Sequence, residues 1–396
     1  MSVPDAAPDD GGPVVDFPRL GALERPFAAK DSEALRDVLV DFAIDVQFNV
    51  RTRRIEWFGF ADFEREEIWR PMTDRKLADL RERIARQYFV QTPGGVRPLK
   101  WGRDAFHDTL NALVYYRERD PFMDWLDQLP PWDGHQRLEG MLCNMFNVAW
   151  SGLAEWASQY IFLGAVQRTY EPGSKLDECV VLIGDQGRGK SALLREAVPS
   201  GIPGLYGDGL RWDARDKEQV EAVLGRAIVE VPEMGGRRKA EIEHMKAFIS
   251  RQDDGAVRLP YARTPEPLER RFIIVATTND ANDLPNDATG LRRFVPIVLN
   301  TGCDVESWMA AERENLWAEA LAMYRAGRRA NLPRDMHDRQ REAAEEHRDK
   351  DELLEDAVAG LHGDGPFTLS AIANLLDMKG KRYADPIPES GLTRTG

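Results

Sequence analysis

Residues 179–198 read CVVLIGDQGRGKSALLREAV, and the order of residue types in this stretch decides the fold. Cys179–Ile183 is a short apolar, β-branched run with the length of one buried strand. SALLREAV, from Ser191, reads as a helix. Between them Gly184-Asp185-Gln186-Gly187-Arg188-Gly189-Lys190-Ser191 fits G-x-x-x-x-G-K-[ST] without deviation. A strand that delivers such a loop lets glycines turn consecutive N–H groups inward around phosphate oxygens. The helix that follows, from Lys190 through Ser191 and Ala192, points its positive end at the same anion. Lys190 is expected to stand exposed in the loop and reach the β/γ-phosphates of ATP, with the Ser191 hydroxyl on Mg²⁺.

Outward from this loop, β-branched runs alternate with helical ones from Lys175 to about Asn300. AIVEV, RFIIVAT and FVPIVL read as further strands; KEQVEAVL and EIEHMKAFIS read as helices. That alternation predicts an α/β domain. The strand Ala227–Val231 carries Glu230, and Glu233 follows three residues later. One carboxylate here can hold Mg²⁺ through water while the other polarises an attacking water. Glu230 is assigned to the metal and Glu233 to the water, although spacing does not settle which has which role. The strand Phe272–Thr277 runs into Thr278-Asn279-Asp280, where Asn279 can orient the attacking water without carrying charge. Arg292 and Arg293 enter the strand FVPIVL facing opposite sides, so one can face a neighbouring subunit's ATP. The alternative is that both make ordinary surface ion pairs.

The flanks divide the chain into four parts. Residues 1–45, rich in Pro, Asp and Gly at the start, are expected to be a disordered leader and linker. Residues 46–150 hold a hairpin, VQFNVRTRRIEWFGF from Val46, followed by helices. Residues 151–330 hold the core, opened by the amphipathic helix Ala154–Tyr170. Residues 331–396 carry a charged helix, a short helix-turn element and a loose tail.

The composition, 42% apolar and 30% charged, is that of an ordinary water-exposed globular chain. No apolar run approaches the roughly 18–20 residues needed to cross a bilayer, and the N-terminus lacks the features of a signal peptide. Cys143, Cys179 and Cys303 lie far apart and form no zinc or disulfide pattern, which fits a reducing cytoplasm. A net charge of −14 excludes a simple basic nucleic-acid coat. It leaves open a local grip, because between Arg237 and Arg293 eleven Lys and Arg face nine Asp and Glu. Within that stretch AVRLPYAR (Ala256–Arg263) reads as a hairpin arm with Arg258, Tyr261 and Arg263 interleaved, and Lys246 is grouped with the same surface. Cations that track phosphates beside an aromatic that stacks on a base suit single-stranded DNA. The alternative is solvated or ion-paired side chains.

Taken together, WDG (Trp132–Gly134), PGSKLD (Pro172–Asp177), GDQGRGKS, IVEVPEM, the stretch from Lys246 to Arg258-Leu-Pro-Tyr261, ATTND and TGLRRFVP resemble the virulence-associated protein E family. The resemblance spans about Val46 to Asn300. It implies an AAA+-like P-loop NTPase core, ATP with Mg²⁺, and kinship with the superfamily 3 helicases of phages, prophages and satellites. It further implies a helicase motor working on single-stranded DNA as a homo-oligomeric ring, a hexamer among the options. The same resemblance leaves an ATPase that remodels or loads replication proteins as the second reading. No primase-sized domain precedes the core, so priming is expected to come from a separate primase or initiator.

Overall fold

The computed structural model describes residues 32–59, 69–92, 94–210, 216–232, 239–257, 265–280, 284 and 293–346. The chain divides into two compact units, Met1–Asp120 and Pro121–Gly396. The division falls earlier than the boundary expected at 150. The reason is that helices between 121 and 146 bury Phe122, Leu126, Leu142 and Phe146 in the core of the second unit.

In the first unit the order is α1 (Ser32–Asp41), β1 (Ile44–Asn49), β2 (Arg54–Gly59), β3 (Arg70–Pro71), α2 (Asp74–Gln87), β4 (Phe89–Thr92), β5 (Gly95–Pro98), α3 (Arg103–Val114) and β6 (Glu118–Arg119). The described part of residues 1–45, expected to be a disordered leader and linker, instead contributes α1, whose Leu35, Val38 and Leu39 are buried at helical spacing. The hairpin read from Val46 is β1–β2, paired antiparallel from Ile44↔Gly59 to Asn49↔Arg54. Its turn is tied by Asn49, whose side chain accepts from the Arg51 and Thr52 amides. Arg51 and Asp120 form an ion pair at 3.1 Å with both side chains 2% exposed.

The second unit begins with α4 (Pro121–Asp127), α5 (Met141–Phe146) and α6 (Gly152–Tyr170). It continues with β7 (Cys179–Ile183), α7 (Lys190–Ala197), β8 (Tyr206–Gly207), α8 (Asp216–Val223), β9 (Ile228–Val231) and α9 (Lys239–Ile249). Then follow β10 (Asp253–Val257), β11 (Glu266–Glu269), β12 (Ile273–Thr278), β13 (Phe294–Val298), α10 (Val305–Arg325) and α11 (His337–Glu346). Five strands form one parallel sheet in the order β13-β7-β12-β9-β8. The fold is thus mixed α/β with a parallel sheet, as the alternation of runs implies.

Both faces of this sheet are covered, which is why its strands read as continuous apolar runs. One face presents Val180, Leu182, Ile228, Val275 and Ile297 to a cluster with residues of α4–α7 and α10. The other presents Cys179, Val181, Val229, Ile274 and Phe294 to a cluster with residues of α8 and α9. Pro296, which has no N–H to donate, is tolerated because β13 lies at the sheet edge. Helix α6 differs from the amphipathic helix expected of it: from Tyr160 to Thr169 every residue is buried. Its Tyr160 hydroxyl and Trp156 indole donate to the carbonyls of Glu178 and Ala330 across the core. Strands β10 and β11 pair antiparallel and bracket the stretch read as a hairpin arm.

Candidate functional site

In a parallel sheet the strands all end on one edge, and ligand-binding groups collect beyond their carboxyl ends. Here β7 ends at Ile183, β9 at Val231 and β12 at Thr278. The loop after β7 is pinned to its neighbour, since the Gly184 amide donates to the Thr278 carbonyl at 3.2 Å. Gly187 and Gly189 take φ of +84° and +90°. That region carries a penalty for any residue with a Cβ, and at Gly189 such an atom would lie 2.8 Å from Val305 Cγ2. Arg188 braces the loop from outside: its guanidinium donates to the Asp185 carboxylate and to the Leu299 and Asn300 carbonyls. That contact holds the Asp185 carboxyl below the ordinary range.

Lys190 opens α7 and is 8% exposed, not standing free as expected. Its ammonium donates to the Gly184 carbonyl, to the Asp185 carbonyl at 3.0 Å and to Asn279 Oδ1 at 3.1 Å. Burial lowers its pKa from the usual lysine value. The cation is thus held at the loop mouth by neutral oxygens it can exchange for an anion's.

Beside it Glu230, 1% exposed, receives three hydroxyls. Ser191 Oγ donates to Oε1 at 2.7 Å and Thr277 Oγ1 to the same oxygen at 2.6 Å, while the Tyr206 hydroxyl donates to Oε2. Register explains the convergence. Tyr206 pairs with Ile228, two residues before Glu230, and Glu230 pairs with Val275, two residues before Thr277. Side chains two apart share a face, so all three polar groups lie on the sheet face that meets α7. Burial, then the bond to Glu230, pushes the Tyr206 hydroxyl far above its usual value, so it remains a proton donor. Among the described residues no group of three or more His, Cys, Asp or Glu could hold a metal ion. The donor set that fits Mg²⁺ is Ser191 and Glu230, a hydroxyl and a buried carboxylate held by neutral hydroxyls.

A model of the virulence-associated protein E-like domain matches residues 126–350, more than half of the chain. The chain belongs to this family. Comparison with the curated proteins gave no match. Among solved structures, two apo structures of the NrS-1 C-terminal region are similar at 15% and 14% identity, each with a TM-score of 0.46. In both cases 83% of this chain and 78% of the other are covered.

In this virulence-associated protein E-like domain the structure brings together Gly184, Lys190, Ser191, Glu230 and Asn279. The side chains of Asp185 and Gln186 are turned out to solvent. Glu233, Arg258, Tyr261, Arg263 and Arg292 lie outside the described residues. Arg293 is half-buried and donates through Nε to Ser250 Oγ at 2.7 Å, a bond within the chain. Lys246, grouped with the DNA-facing surface, is 3% exposed. It lies on α9 one residue after the buried Met245, and the described structure encloses it with that helix's apolar side. Two site residues escape a reading of the sequence. Thr277 looks like one more β-branched strand residue, and Tyr206 sits in a two-residue strand too short to leave a periodic signal. No helix of the described residues is long and apolar enough to cross a membrane.

Proposed function

We propose that this chain is an ATPase with an AAA+-like P-loop core, and that it acts as a ring-shaped motor on single-stranded DNA in the replication of a phage, prophage or satellite. The observation that carries the reading is the convergence of Lys190, Ser191, Glu230 and Asn279 at the carboxyl edge of the sheet. Lys190 exchanges its carbonyl partners for phosphate oxygens and neutralises charge that builds on them. Gly187 and Gly189 leave the loop amides free of side-chain obstruction toward the same oxygens. Mg²⁺, held by Ser191 and water-bridged to Glu230, would supply charge neutralisation at the β- and γ-phosphates. The amide of Asn279, anchored by Lys190, orients the attacking water, and Glu233 polarises it. Arg292 or Arg293 acts from the adjacent subunit, and Arg258, Tyr261 and Arg263 follow the DNA strand.

The test is ATP turnover with and without single-stranded DNA, together with strand displacement on a forked duplex. The reading expects turnover that DNA stimulates and strands that separate. Turnover without displacement would transfer the case to a remodelling ATPase, and absence of nucleotide binding would end both.

A further inference from the structure

Glu230 is the buried carboxylate of the candidate site, and Ser191 reaches it from the helix, not the sheet. Two further hydroxyls reach it from the strands on either side. Thr277 comes from β12 and Tyr206 from β8, each placed by strand register. The β8 segment is itself held. Arg226 donates to the Gly204 carbonyl at 2.8 Å and the Tyr206 carbonyl at 2.9 Å, and the Ala227 and Ile228 amides both donate to Leu205. A tyrosine on a freely placed edge strand would hold nothing; this one is anchored through its backbone.

We propose that Tyr206 and Thr277 are positioning residues for metal binding: their hydroxyls fix both oxygens of Glu230 so that Ser191 and Glu230 present a ready site for Mg²⁺. The proposal rests on the ATPase reading. A carboxylate bonded by one hydroxyl can rotate about its last torsion, which is broad and roughly two-fold. Bonded from two strands, it cannot turn without breaking a hydrogen bond in a buried setting, where an unmade bond is costly. Both donors are neutral, so they orient the carboxylate without cancelling the charge that attracts the cation.

The experiment uses the full chain and Tyr206→Phe, Thr277→Val and Thr277→Ser. ATP turnover is titrated with Mg²⁺, and a fluorescent ATP analogue is titrated with and without the metal. Tyr206→Phe and Thr277→Val should each raise the half-saturating Mg²⁺ concentration about tenfold, equivalent to about 1.4 kcal/mol. Thr277→Ser, which keeps the hydroxyl, should restore the requirement to within about twofold of the parent. Affinity for the analogue without metal should stay level in all three, a split that a general loss of structure would not give. A Tyr206→Phe protein with an unchanged Mg²⁺ requirement, or Thr277→Ser as impaired as Thr277→Val, overturns the positioning role. A parent protein without Mg²⁺-dependent binding or turnover overturns the ATPase reading instead, so the two failures are distinguishable.

Discussion

Arg270 and Asp254 stand at the foot of the β10–β11 hairpin, with side chains 1% and 4% exposed. The Arg270 guanidinium donates through Nε at 2.9 Å and Nη2 at 2.6 Å to Asp254 Oδ1, and through Nη1 to the Phe248 carbonyl. It lies 4.0 Å from the Phe248 ring centroid and 5.2 Å from that of Phe272. Asp254→Ala removes the counter-charge and leaves the guanidinium where water cannot reach it. Because the pair is buried, the exposed-pair figure of about 0–1 kcal/mol does not apply; breaking it costs about 3–5 kcal/mol. At ~2–4 °C per kcal/mol for a domain of this size, the melting midpoint should fall by roughly 6–20 °C. Asp254→Asn keeps one acceptor and should lose about 1–3 kcal/mol. Combining Asp254→Ala with Arg270→Met removes both charges and should recover most of the loss. Calorimetry on the four proteins checks the order. An Asp254→Ala midpoint within about 2 °C of the parent would mean the pair does not hold the hairpin foot.

Three further outcomes follow from the site. Phosphate binding needs a protonated Lys190, whose pKa burial depresses below the usual 10.5, so nucleotide affinity should be level near neutrality and fall as pH rises toward that value. Calorimetry in buffers of different ionisation enthalpy should show proton uptake on the alkaline side; affinity level past 10.5 would contradict it. Replacing Arg258 or Arg263 with Ala should lower the slope of log DNA affinity against log salt by roughly 0.7 each. Tyr261→Ala should cost about 1–3 kcal/mol with the slope unchanged, and equal affinities and slopes in fluorescence anisotropy would refute the arm. Mixing Arg293→Ala with Lys190→Ala subunits should restore part of the turnover if Arg293 completes a neighbour's site. No rescue in rings shown to co-assemble would leave Arg293 to its bond with Ser250.

The sequence made the sheet legible because buried parallel strands announce themselves: CVVLI, IVEV and FVPIV match β7, β9 and β13. Glu230 stood out as a charge inside such a run. What periodicity could not convey was which apolar surface meets which. Helix α6 looks two-sided in sequence, yet the sheet on one side and α10 on another bury it. Lys246 groups in sequence with the DNA-facing surface, yet it is buried, which its place in a charged stretch of sequence does not reveal. Tyr206 enters the site only through the pairing of β8 with β9, a contact between residues 206 and 228 that no local pattern encodes.

Whether Lys190 and its neighbours form a phosphate site is decided by Lys190→Ala. Its loss leaves the Gly184 and Asp185 carbonyls and Asn279 without one donor, while the glycine loop, Ser191 and Glu230 stay in place. Equilibrium binding of Mg·ATP, with turnover measured on the same samples and folding checked by circular dichroism, gives the answer. Lys190→Ala should stay folded, hydrolyse no ATP and bind it at least about tenfold more weakly, a loss of about 1.4 kcal/mol or more. A folded Lys190→Ala protein that binds and hydrolyses ATP like the parent would contradict the phosphate site.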